Sequence, residues 1–188
     1  MEIYEPREDS FLIQKHVKKY AKGIVLDMGT GTGILAEEAA KSKKVVKVFA
    51  VDINEEAIIH CIRHQKSKKI TYAMSNLFRL FKIDRRYMDI KFDTILFNPP
   101  YLPNDPNVKD KALDGGKKGY ELICLFLHEA KRFLKPQGKI LLVFSSLTGK
   151  EKLDKFLLEN YWKFKELDKQ HIFFEDLFVY LVEKIEKI

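Results

Sequence analysis

The sequence predicts an α/β protein: a doubly wound, mostly parallel sheet finished by a C-terminal antiparallel hairpin. Three observations predict it. Short, nearly continuous apolar runs alternate with helical patterns, as expected of parallel strands covered on both faces. The first of these runs ends in a cluster of glycines that opens directly into a helix. The last two strand-like runs have no helix between them, which suggests an antiparallel pair at one edge of the sheet.

Each element follows from its own pattern. Residues 9–21 (DSFLIQKHVKKYA) set Phe11, Leu12 and Val17 at helical spacing and form an N-terminal helical cover, residues 1–22. GIVLD (23–27) is a strand that runs into glycines, and ILAEEAAK (34–41) is a helix. VVKVFAVD (45–52) is β-branched and apolar, so it is a strand whose faces must be covered. Asn54 caps the helix EEAIIHCIRHQK (55–66). ITYAM (70–74) and DTILF (93–97) are strands. Residues 118–134 form a long amphipathic helix closed by Lys135-Pro136-Gln137-Gly138. KILLVF (139–144) is a buried strand, 150–160 a helix, and 161–167 and 172–182 the final two strands. With no repeat, low-complexity stretch or linker, residues 1–188 read as one domain.

Composition narrows the class. The 46% hydrophobic content, with 14 Phe and 8 Tyr, supports a sizeable core and excludes a disordered chain. No apolar run approaches the ~18 residues of a membrane span, and the polar N-terminus is unlike a signal peptide, so a soluble cytoplasmic protein is expected. Cys61 and Cys124 stand apart, which excludes a disulfide framework and a four-cysteine zinc site. The net charge of +7 rests on lysines scattered along the chain; dedicated nucleic-acid footprints cluster and favour Arg, so a solvated surface is the better account. His60 and His64 are spaced as metal ligands on a helix but have no third ligand nearby, and no metal is expected. Cys124 is expected in the core.

Three motifs carry chemistry, each at the carboxyl end of a strand, where sheets of this kind bind ligands. Asp27-Met28-Gly29-Thr30-Gly31-Thr32-Gly33 is a tight strand-to-helix turn offering free backbone N–H groups. Its glycines do not match the dinucleotide pattern, and the preceding acid would welcome an ammonium and resist a pyrophosphate. Asp52 ends the second strand, placed to accept both hydroxyls of a ribose, and Asn76 with Leu77 follows the third, placed for an adenine edge and ring. Asn98-Pro99-Pro100-Tyr101 follows DTILF. The prolines remove two donors, so the Asn98 side-chain oxygen and the Pro99 carbonyl can accept both N–H bonds of a planar –NH₂ group, with Tyr101 as a flat wall.

Together these motifs resemble the class I S-adenosylmethionine-dependent methyltransferases, a Rossmann-like fold, and the third points to those that methylate exocyclic or amide nitrogen. Tyr4-Glu5-Pro6-x-Glu8-Asp9-Ser10-Phe11-Leu12 and Leu113-Asp114-Gly115-Gly116-x-x-Gly119 resemble the short archaeal and eukaryotic branch of the HemK-type glutamine methyltransferases, which lacks the extra N-terminal domain of the bacterial members. The resemblance implies S-adenosyl-L-methionine as cofactor, held by Ser10, Asp27, Gly29, Asp52, Asn76 and Asn98, with Gly31, Ile53 and Leu77 completing that set. It implies Asn98, Pro99, Pro100 and Tyr101 at the substrate, with Asn98, Pro99 and Tyr101 catalytic. Asp27 replaces a common Glu and Asn76 a common Asp. The implied substrate is the glutamine amide in the Gly-Gly-Gln loop of a class 1 peptide release factor, and the implied partner a small zinc-binding activator subunit. An activator of that kind would cover a sheet edge, and the apolar run VVKVFAV is the expected place. The alternatives are a methyltransferase for nucleobase amino groups of RNA or DNA, which the same –NH₂ clamp would serve, and a non-catalytic scaffold, against which the intact Asn98–Tyr101 motif argues.

Overall fold

The computed structural model describes residues 2–100 and 119–185. In chain order the elements are α1 (Glu8–Tyr20), β1 (Gly23–Met28), α2 (Ile34–Ala40), β2 (Val45–Asp52), α3 (Glu55–His64), β3 (Ile70–Met74) and α4 (Arg79–Ile83). They continue with β4 (Phe92–Phe97), α5 (Glu121–Phe133), β5 (Leu134–Ser145), α6 (Lys150–Glu159), β6 (Trp162–Ile172) and β7 (Glu175–Lys184). All seven strands form one sheet in the order β3-β2-β1-β4-β5-β7-β6. The first five pair in parallel, and β7 runs antiparallel to both β5 and β6. This is the doubly wound architecture that the alternation of patterns predicts. The strand order reverses at β1, which pairs with β2 on one side and β4 on the other. A crevice therefore opens above the carboxyl ends of β1 and β4.

The central strands explain their own apolar sequences. Val25–Met28 of β1 and Ile140–Phe144 of β5 are buried, because helices cover both faces. Aromatic packing fixes the layers. Phe78 stacks on Phe126 and Phe133 of α5, and Phe49 of β2 meets Phe81, Tyr87 and Phe92 edge-on. Helix α1 lies on α2, β5 and β7, burying Leu12, Ile13 and Val17.

Several sequence expectations need correcting. Strand β2 is an interior strand, so VVKVFAV is covered by β1 and β3 and is not an edge. The edges are β3 and β6. The stretch after α5 is no simple turn: β5 begins at Leu134, and its pairing with β4 skips from Phe92↔Leu134 to Thr94↔Lys139. Lys135–Gly138 is thus a bulge inside the strand, where Pro136 has no N–H to contribute. Helix α4 was invisible because five residues are too few to show a period. Strand β6 runs on to Ile172 through a charged stretch, carried by its pairing with β7, which continues past a register shift at Leu167. Cys124 is half-buried on the flank of α5, outside the core. Among the described residues no helix is long and apolar enough to cross a membrane.

Candidate active site

Above the switch point lies a cavity of about 280 Å³. Its walls bring together Ser10, Gly29, Gly31, Asp52, Ile53, Asn76, Leu77, Asn98, Pro99 and Pro100, residues expected there from five separate segments. Tyr101 and the glycine stretch at 113–116 lie outside the described residues. Asp27 is placed differently: it is almost wholly buried and braces the turn from beneath rather than lining the cavity. Its Oδ2 accepts from the Thr30 hydroxyl at 2.6 Å and the Ala36 N–H at 3.0 Å. Its Oδ1 is buried and unpartnered among the described residues. Burial pushes the Asp27 carboxyl up to about 7, against the opposing pull of those two donors.

The glycine turn is shaped for a ligand. Gly29 and Gly31 sit at φ +66° and +53°, where other residues are strained, and a Cβ at either would meet nothing closer than 3.5 Å. Glycine is therefore required by backbone conformation, and the space above it stays open. Asp52 is pinned by the backbone: its Oδ2 accepts from Gly31 N–H and its Oδ1 from Asn54 N–H, both at 2.9 Å. Each oxygen keeps a lone pair for a ligand hydroxyl. Asn54 caps α3 by accepting from Glu56 N–H, as its position predicts, which frees Asp52 from that role. Leu77 stands at φ +45°, an outlier for a non-glycine residue; the Ser75 hydroxyl donates to its carbonyl and holds it there. Ile53, well exposed at the cavity mouth, is the other apolar wall. Carboxylate, apolar walls and open glycine turn fit the ribose, the flat base and the chain of an S-adenosyl ligand.

Asn98 closes the opposite side. Its Nδ2 donates to Ser10 Oγ at 3.2 Å, while its Oδ1 is buried with no partner among the described residues. The orientation has a cause two residues deep. The Asp9 carboxylate can only accept, so the Ser10 hydroxyl donates to it, at 3.1 Å, and offers its lone pairs to Asn98. The Tyr4 hydroxyl donates to the other Asp9 oxygen at 2.9 Å. Asp9 and Ser10 are both 3% exposed. Sequence reasoning placed Tyr4 and Asp9 in a motif without giving either a task. The Asp9-Ser10 pair inside that motif was the available signal, but its burial and the partner 88 residues away were not. His60 and His64 pack with ring centroids 4.4 Å apart and planes tilted by 35°, with His64 Nδ1 against the His60 carbonyl. Among the described residues no three side chains are grouped to hold a metal.

Residues 8–174 match the methyltransferase small domain family. The chain is 38% identical to a Methanocaldococcus jannaschii protein provisionally named protein N5-glutamine methyltransferase, over 82% of this chain and 78% of that one. It is 29% identical to a release factor glutamine methyltransferase of Pasteurella multocida, over 84% of this chain but only 61% of that one. In fold it is similar to the E. cuniculi Mtq2–Trm112 structure, described as responsible for methylating the translation termination factor eRF1, with TM-score 0.75, 24% identity and coverage of 98% and 99%. The cavity, the open glycine turn and the strand order thus have one common account: this chain belongs to the methyltransferase small domain family and is a methyltransferase.

Proposed function

We propose that this protein methylates the side-chain amide nitrogen of a glutamine, in the Gly-Gly-Gln loop of a class 1 peptide release factor. The observation that carries the reading is Asn98 Oδ1: a buried acceptor in the cavity wall, unpartnered among the described residues and turned there by Ser10. A buried acceptor without a donor costs roughly 1–3 kcal/mol, so the site is built to receive an N–H. The names of the two relatives support an amide as its source.

Bound S-adenosylmethionine supplies a methyl group on a sulfonium, which leaves without help from a protein nucleophile. The chain's own task is to hold and orient. Asp52 would hold the ribose hydroxyls, Ile53 and Leu77 would provide apolar walls for the base with Asn76 for its edge, and Asp27 would set a negative charge beneath the turn for the ammonium. An amide nitrogen is a poor nucleophile because its lone pair is delocalised into the carbonyl. Accepting its two N–H bonds at Asn98 Oδ1 and the Pro99 carbonyl raises electron density on nitrogen and points it at the methyl. Tyr101, outside the described residues, keeps the role that the resemblance implies. Orientation of this kind contributes up to ~7–11 kcal/mol in ideal cases.

A small zinc-binding activator is the proposed partner, on the β3 edge. Strand β6 protects its own edge with Lys163, Lys165, Glu166, Asp168 and Lys169. Strand β3 (ITYAM) carries no charge and ends at the half-exposed Met74. It is the edge that lacks such protection. The deciding experiment incubates the protein, with and without such an activator, with labelled S-adenosylmethionine and either a release factor or total RNA. Label on the release-factor glutamine supports the reading; label on RNA alone replaces it with the nucleobase alternative.

A further inference from the structure

The two most exposed large apolar residues of the described chain stand side by side at the tip of the β6–β7 hairpin: Phe173, 88% exposed, and Phe174, 95% exposed. They form a two-residue loop between Ile172 and Glu175, which pair across the hairpin. Phe173 has φ +42°, a conformation that hairpin loops normally give to Gly or Asn. Neither burial nor turn geometry accounts for phenylalanine at this place. Strain and exposure in one loop direct attention to function.

The tip is held stiffly. The Lys169 and His171 side chains both bind Asp176, at 2.9 Å each. The Asp176 N–H donates to Ser146 Oγ at 3.0 Å, and the Ser145 hydroxyl bonds Glu175. The hairpin is thereby tied to the end of β5, on the edge of the sheet that carries the active site. Register gives the reach. Phe97 pairs with Leu142 and Ser145 with Leu177, so Phe174 lies about six residues, roughly 20 Å, beyond Phe97 along the strands. It is displaced about two strands, roughly 10 Å, to the Asn98 side of the cleft. A small molecule filling the cavity cannot touch this tip; a macromolecule reaching Asn98 with one loop can.

We propose that Phe173 and Phe174 anchor the protein that carries the acceptor amide, entering an apolar depression on its surface outside the reactive loop. The inference rests on the proposed protein-amide reading. Its choice of partner follows from charge: Lys169 and His171, the cations of the hairpin end 169–176, are both committed to Asp176, so among the described residues the hairpin end offers an apolar pair and no uncommitted cation for phosphate. Phe173 and Phe174 touch little of the fold, so their substitution leaves the enzyme intact. The test compares wild type with the Phe173→Ser/Phe174→Ser double variant and with Phe173→Gly, all three loaded with S-adenosylhomocysteine. Calorimetry reads binding of an intact release factor, and a second titration reads binding of the sulfur ligand.

The double variant is expected to bind release factor at least tenfold more weakly with ligand affinity unchanged. Phe173→Gly, which relieves the turn and keeps Phe174, is expected in between. Equal release-factor binding by wild type and double variant overturns the anchor while leaving the proposed reaction standing. A wild-type enzyme that methylates RNA and no release factor removes the reading beneath it, and the anchor with it. Sedimentation of the double variant is the last arm: loss of a self-association shown by wild type, with release-factor binding intact, makes the tip a self-contact and also overturns the proposal.

Discussion

At Asn98, binding and chemistry separate. Asn98→Ala removes one acceptor of the substrate N–H pair, so methyl transfer should fall by one to two orders of magnitude, each ~1.4 kcal/mol being tenfold. Affinity for S-adenosylhomocysteine should change far less than it does in Asp52→Ala; wild-type turnover by Asn98→Ala would refute the clamp. Asp9 acts on Asn98 through Ser10. In Asp9→Ala the acceptor of both the Ser10 N–H and the Ser10 hydroxyl is gone, so that hydroxyl can donate toward Asn98 and turn its amide. The expected result is a kcat about tenfold lower with cofactor KM near wild type, while Ser10→Thr keeps both. Asp27 makes the ligand-free protein pH-sensitive. Its carboxyl is raised to about 7 by burial, so the folded state holds a proton that the unfolded chain gives up near pH ~4. The stability from this retained proton is complete below pH ~4 and is lost as pH rises through 7. Melting temperature should therefore fall between pH 5 and 8, and Asp27→Asn should flatten the slope. An ammonium above Asp27 draws the pKa down again, so ligand binding at pH 6 should release a proton in wild type and not in Asp27→Asn, as read by calorimetry in buffers of different ionisation enthalpy.

The glycine turn and the start of α2 form one device at the scale of the element. Gly33 precedes α2 at φ +85°, and a Cβ there would meet Cys61 Sγ at 3.1 Å and the Tyr72 hydroxyl at 3.3 Å. Both neighbours come from other elements, α3 and β3, so the turn is clamped between them. Cys61 Sγ also contacts the Gly31 carbonyl at 3.2 Å. Gly33→Ala is expected to cost about 1–3 kcal/mol in urea unfolding, from strain and overpacking together. It should also weaken ligand binding, because the same shift moves Gly31. Unchanged unfolding and binding would show that the turn adapts.

For the whole molecule, the sheet offers two edges of opposite character, and the choice of partner surface follows. Met74→Lys places a charge at the end of the uncharged β3 edge, where nothing in the fold needs the methionine. It should abolish co-purification with an activator of the proposed kind while leaving the melting temperature within a degree or two of wild type. Amide hydrogen exchange over residues 70–74 should slow when the activator binds; unchanged exchange there, with the complex formed, would move the partner to another surface.

The sequence by itself determined the alternation of strands and helices, the direction of the first five strands and the three motifs at their carboxyl ends. Those are local: period, glycine, proline and capping chemistry act within a few residues, and Asn54, Gly29 and Asn98 are all legible on that scale. Which strand lies at an edge is not local, and VVKVFAV is apolar because it is doubly covered in the interior, a fact visible only once β3 is paired beyond it. The bulge at Lys135–Gly138 and the length of β6 were likewise settled by strands distant in sequence. The tertiary structure alone decided that Asp27 sits beneath the cavity wall and that Ser10 meets Asn98, because burial and donor–acceptor direction are properties of neighbours in space, and a sequence lists only neighbours along the chain.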